Sequence, residues 1–183
     1  MNGCVWDRDK PHDVQDTAPT SKQTGFQPNQ AANCPVAMLP LTNNWDALNA
    51  KIDSMVPTGN TNVTIGMEWG WHSLSNSEPL TQAAAPAKDL DKVVILLTDG
   101  DNTANRFGDN AGGSIDARTK QACDNAKAAN IKVYAVRVID GNASLLQSCA
   151  SDPSMYYDVQ NSSQLLAVFQ KIGENFASPR ISK

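Results

Sequence analysis

The chain has 183 residues, a formal net charge of −4 and 19% charged side chains, which fits one globular domain with room for a small appendage. That acidic balance excludes a nucleic-acid binder built on a basic footprint and a polybasic membrane-surface role. Only two histidines occur, His12 and His72, so a three-histidine metal site is excluded and Ser-His-Asp chemistry has little to draw on.

Residues 1–40 read as irregular, because Pro11, Pro19, Pro28, Pro35 and Pro40 punctuate a stretch rich in Asp, Gln, Asn and Thr. A structureless run of that length is uncommon unless it is functional or tied down, and the alternative is a disordered tail. Trp45, Leu48, Ile52 and Met55 then recur at helical spacing. Thr42, Asn43 or Asn44 is the candidate cap, and Pro57-Thr58-Gly59 the stop. The polar turn 59–66 leads into a second helix carrying Ile65, Met67, Trp69 and Leu74. Residues 75–88 read as a loop.

The apolar run 93–97 predicts a strand covered on both faces, the signature of a parallel sheet. It ends in Thr98-Asp99-Gly100-Asp101. Ser114 is placed to cap a helix running to Asn130, with Ile115, Ala122, Ala126 and Ala129 on one side. Asn130 suits a left-handed cap. A second strand follows over 131–138, a short helix around Leu145 and Leu146, and a third strand over 156–159. Asn161 or Ser162 then caps a last helix with Leu165, Leu166, Phe169, Ile172 and Phe176 on one stripe. Strands alternating with helices predict an α/β fold with a mostly parallel sheet, and no internal repeat is present. No run of about 18 apolar residues is present to span a bilayer. The first ten residues lack the basic-then-apolar pattern of a signal peptide, so either any export signal lies upstream or the protein is cytosolic.

Cys4, Cys34, Cys123 and Cys149 form an even set with no C-x-x-C spacing, better suited to disulfides than to zinc. Three pairings are possible, the most local being Cys4–Cys34 with Cys123–Cys149. Four buried free thiols in a cytosolic protein are the alternative.

In open α/β sheets, sites lie outside the carboxyl ends of the strands. Asp99 stands at such an end, where a carboxylate can hold a hard divalent cation together with a hydroxyl from a neighbouring loop, Thr61 or Thr64. The plain alternative is an Asp-Gly turn. The same residues, Asp99-Gly100-Asp101-Asn102-Thr103, fit D-x-D-x-T. This resembles the nucleophile motif of haloacid-dehalogenase-type phosphatases, in which Asp99 would take a phosphoryl group beside magnesium. That motif opens its domain, whereas here it follows about 90 residues, and no later G-D-x-x-x-D loop is present. A Walker B reading fails for want of a G-x-x-x-x-G-K-[ST].

An ordered set of stretches points elsewhere. Gly3-Cys4-Val5 with Asp7-Arg8-Asp9, Gly59-Asn60-Thr61-Asn62 through Gly66, Trp69-Gly70-Trp71 and Leu96-Leu97-Thr98-Asp99-Gly100 come first. Ala122-Cys123-Asp124, Cys149-Ala150-Ser151-Asp152-Pro153 and Arg180-Ile181-Ser182 complete it. Together they resemble the von Willebrand factor type A (VWA) domain, and more narrowly the C-terminal part of the VWA-containing Tad (tight adherence) pilus-assembly proteins of bacteria. The resemblance implies a Rossmann-like three-layer α/β/α fold lacking its first strand or strands. Residues 1–40 would be a disulfide-bearing insertion and 41–183 the C-terminal part of the domain. It also implies a non-enzymatic protein-interaction or adhesion module, periplasmic or at the cell surface, with a metal-ion-dependent adhesion site for Mg2+ or Mn2+. Thr61 and Asp99 take the Thr and Asp roles, Thr64 being the weaker choice for the former. The ion's open position would accept a carboxylate from a partner protein. The family's D-x-S-x-S motif, which ends its first strand, is missing, so the ion site is partial and a metal-free scaffold is the alternative. The chain is therefore expected to be a C-terminal fragment with an unpaired sheet edge. Trp69 and Trp71 are expected to pack, His72 to lie on the surface, and Asp101 to sit behind the ion or in the turn.

Overall fold

A computed structural model describes residues 3–30, 34–109 and 112–177. The motif Arg180-Ile181-Ser182 lies outside the described residues. The elements in chain order are α1 (Trp45–Asp53), α2 (Val63–Leu74), β1 (Lys92–Thr98), α3 (Gly112–Ala128), β2 (Ile131–Val138), α4 (Ala143–Cys149), β3 (Tyr156–Val159) and α5 (Leu165–Ala177). The three strands form one parallel sheet in the order β1-β2-β3. The predicted α/β class and parallel sheet are thus present.

Several helix ends follow from single side chains. Asn44, Asn62 and Asn142 cap α1, α2 and α4 by accepting from the backbone N–H three residues on. Asn130 turns the chain from α3 into β2 at φ 61°, the left-handed cap its type favours. α3 begins at Gly112, two residues ahead of the Ser114 start predicted for it.

The main core lies on one face of the sheet. Val63, Met67 and Trp71 of α2, Ala122 and Ala126 of α3, and Leu145 and Leu146 of α4 pack against Val94, Leu96, Val133 and Ala135. Gly70 lets α2 approach β1 closely: a Cβ there would meet Val94 Cγ1 at 3.3 Å. A smaller cluster covers the other face, where Ile172 of α5 packs on Tyr134, Val136, Val138 and Val159. This is a partial three-layer α/β/α arrangement.

The second face of β1 differs from expectation. Val94, Leu96 and Thr98 are buried, but Ile95 and Leu97 remain 37% and 45% exposed. Val93, at the start of β1, packs against the cluster that Ile172 of α5 joins, but this cover does not reach along the strand to Ile95 and Leu97. An apolar run reports what both faces could bury, and here one of them is covered along its length.

The N-terminal segment is irregular, as predicted, but it is seated rather than loose. Among the described residues its only helical turn is His12–Val14, and Val5 bridges to Pro28 across the segment. Val14 is fully buried in the main core. Asp13 accepts both Nε, at 2.8 Å, and an Nη of Arg118 on α3. The Cys4–Cys34 and Cys123–Cys149 disulfides are both formed, with no free cysteine. That removes the free-thiol alternative.

A candidate metal centre at the carboxyl end of the sheet

β1 ends at Thr98, whose buried hydroxyl donates to the Gly100 carbonyl at 3.0 Å and accepts from the Gly100 N–H at 3.3 Å. This tight turn leaves the Asp99 carboxylate exposed beyond the strand. Gly141, just past β2, closes over the turn: a Cβ there would lie 3.1 Å from the Gly100 carbonyl oxygen, and its φ is +106°. Both facts demand glycine.

The loop before α2 is laced to the loop after Asp99. The Thr61 N–H donates to Thr103 Oγ1 at 2.8 Å, and the Thr61 carbonyl accepts from the N–H of Thr103 at 2.9 Å and of Ala104 at 3.3 Å. These bonds use the Thr61 backbone and leave its half-buried hydroxyl aside. Thr61 and Asp99 therefore belong to two loops fastened together at one end of the sheet. Thr64 does not join them. Its hydroxyl is buried 2.8 Å from Thr119 Oγ1 between α2 and α3, which removes it as a ligand candidate. Asp101 is exposed in the turn, and the hydroxyl of Thr103, the last residue of D-x-D-x-T, is engaged with the Thr61 backbone.

Two residues that the sequence placed in motifs but gave no role of their own organise this end. Asn102 is 5% exposed. Its Oδ1 accepts from the Val63 N–H at 2.7 Å, and its Nδ2 donates to Asp116 at 2.7 Å and Thr119 at 3.1 Å. It thus joins the first turn of α2 to α3. Asp7, from the N-terminal segment, accepts from Asn62 Nδ2 at 2.9 Å and from the Arg106 N–H at 3.0 Å. Arg106 in turn donates through Nε to the Asp7 carbonyl at 2.8 Å and pairs with Asp9. Residues about 100 positions apart meet here, which no local pattern announces.

His72 is the clearest departure from expectation. It is fully buried, not on the surface, with Nδ1 2.9 Å from Asp16 and Nε2 3.4 Å from Glu68. α2 is covered there by the N-terminal segment, so a position that looks solvated on the helix alone is sealed. Trp71 is buried, and Trp69 packs on Phe26 at 4.9 Å between ring centroids, as packing residues should.

Thr61 and Asp99 offer one hydroxyl and one carboxylate. Among the described residues, no group of three or more His, Cys, Asp or Glu side chains is gathered to hold a metal ion. The donors present do not make a complete cation site, since magnesium would have to draw its remaining oxygen ligands from water or a partner. Among the described residues, no helix is long and apolar enough to cross a membrane.

The parallel sheet, the helices on both of its faces and the loops at its carboxyl end define a VWA domain. The family model for the von Willebrand factor type A domain matches residues 29–171, and the chain belongs to that family. Among solved structures it is similar to proximal thread matrix protein 1 from the mussel byssus. Identity is 21% and the TM-score 0.53, over 73% of this chain and 32% of that one. A second structure of that mussel protein, with a zinc-occupied MIDAS motif, matches with a TM-score of 0.54 and 21% identity, over 73% of this chain and 31% of that one. The pilus adhesin SpaC from Lactobacillus rhamnosus GG matches with a TM-score of 0.54 and 16% identity, over 71% of this chain and 20% of that one. The chain thus spans about a third of the mussel protein's length and a fifth of the adhesin's, and these likenesses establish the fold. No curated protein matches the chain.

Proposed function

We propose that this chain is a protein-interaction module of a Tad-type pilus-assembly protein, acting outside the cytoplasm and without catalysis. Thr61 and Asp99 contribute to a site for Mg2+ or Mn2+, and a partner's carboxylate completes the ion's shell. One observation carries this reading: the Thr61 loop is bonded to the residues just past Asp99, leaving an exposed carboxylate where α/β sheets place their ligands. An all-oxygen donor pair suits a hard cation. The two disulfides support an oxidising compartment. The narrower assignment to pilus assembly rests on the ordered motifs from Gly3-Cys4-Val5 to Cys149-Ala150-Ser151-Asp152-Pro153.

A second reading is a scaffold that binds no ion, favoured by the lack of a gathered acidic cluster among the described residues. Thermal melts separate the two. A cation at about 100 times its dissociation constant stabilises by about 2.7 kcal/mol. The metal reading expects Tm to rise with manganese or magnesium over EDTA, and Asp99→Ala to abolish the rise. A melt indifferent to the cation in the unsubstituted chain leaves the scaffold.

A further inference from the structure

The most deeply buried charges lie not at the Thr61–Asp99 end but beneath the N-terminal segment. Arg8 is 3% exposed. Its guanidinium donates to the carbonyls of Gln15 at 3.1 Å, Thr17 at 2.5 Å and Thr24 at 2.6 Å. It also lies over the Phe26 ring, 4.8 Å from the centroid. One side chain thus gathers residues 15–26 around itself.

The gathered segment rests on Glu68 and His72, which stand one turn apart on the same side of α2. Glu68 Oε2 lies 3.4 Å from His72 Nε2, and Asp16 Oδ1 lies 2.9 Å from His72 Nδ1. Neither Glu68 oxygen, His72 Nε2 nor Arg8 Nε has a hydrogen-bond partner among the described residues. All three residues line one small pocket of about 10 Å3, partly open to solvent, which Trp6, Phe26 and Trp69 also line.

The proton count follows from these contacts. Asp16, the more exposed carboxylate, accepts from His72 Nδ1–H, which leaves Nε2 facing Glu68. An ionised Glu68 and a bare Nε2 would be two buried acceptors with nothing between them, a costly arrangement. One proton between them resolves it, whichever atom carries it. Glu68, His72 and Asp16 then sum to −1, which Arg8 balances. The neighbouring Asp13 is matched by Arg118 from α3.

We propose that this cluster is a proton-operated latch: a proton held between Glu68 and His72 keeps residues 7–26 seated on α2, and its loss to mildly alkaline solution unseats them. The Cys4–Cys34 disulfide then keeps the segment tethered. Unseating also withdraws Asp7 from Asn62 and Arg106, loosening the loop that carries Thr61. The latch stands on its own contacts and does not depend on the metal reading.

The titration of Glu68 agrees in direction. Burial pushes its carboxyl up to about 9, Asp13 and Asp16 adding to the rise while Arg8 and Arg118 oppose it. A carboxyl raised in the folded state contributes stability that is complete below its ordinary range, near 4.3, and is lost as pH rises through the folded value.

Hydrogen exchange on the full disulfide-bonded chain tests this. The Arg106 amide, bonded to the Asp7 carboxylate at 3.0 Å, reports the seating of the segment. After correction for the intrinsic rate, its opening constant should rise about tenfold per pH unit from neutrality towards the Glu68 value. Glu68→Gln, which keeps a donor towards His72 Nε2, should make it flat. Equal pH profiles in the two proteins, or a flat profile in the unsubstituted chain, overturn the latch. If Glu68→Gln does not fold, carbon-13 spectra of glutamate-labelled unsubstituted chain decide. A carboxyl titrating above neutrality supports the latch, and one set titrating wholly in the acid range overturns it.

Discussion

Residues 3–30 hold a single helical turn, yet they bury Asp7, Arg8, Asp13 and Val14. α1 is nine residues of capped helix and buries none of them. Trp45 and Ile52, the two ends of its apolar stripe, are 75% and 61% exposed. Regular backbone and secure packing are therefore separate properties in this chain. The segment is fixed by charged side chains reaching across to α2 and α3, by one core valine and by a disulfide. The helix is fixed by its own hydrogen bonds and the Asn44 cap, and the two ends of its apolar stripe stand largely in solvent.

That contrast can be broken most forcefully at Asp13. Asp13→Ala would strand Arg118 in a partly buried place, and a loss of about 3–5 kcal/mol is expected from denaturant unfolding. Asn102→Ala is the middle case. It leaves the Val63 N–H buried without its acceptor, so a loss of about 1–3 kcal/mol is expected, with raised hydrogen exchange in the first turn of α2. Trp45→Ala sharpens the comparison from the other side. Despite removing the largest side chain of α1, it should move stability by no more than about 0.5 kcal/mol. A cost like that of Asp13→Ala would mean that α1 is covered in solution.

The sequence carried the regular part of this fold well, for a physical reason. Strand runs, helix stripes and caps such as Asn130 act over a few residues, so their pattern lies within a few residues too. Asp99 was legible because a carboxylate after an apolar strand has one address in an α/β sheet. Asn102 and Asp7 were not, because their partners are 14 to 99 positions away. His72 misled for the same reason: what buries it is an irregular segment whose seating depends on Arg8. The partly uncovered face of β1 was hidden too, since residue type records only a capacity for burial.

The Cys123–Cys149 bond has a further consequence under tension. It joins α3 to α4 across a separation of 26 residues and encloses the whole of β2, the central strand. A pull on the two ends of the chain bypasses that loop through the sulfur bridge, so β2 can lose its neighbours but cannot be drawn out straight. At roughly 3.5 Å per residue, about 90 Å of chain is withheld from extension. Cys4–Cys34, with a separation of 30 residues, withholds about 100 Å more on the same scale. The module would yield with a short reach, and the two withheld lengths would be released only by a reductant.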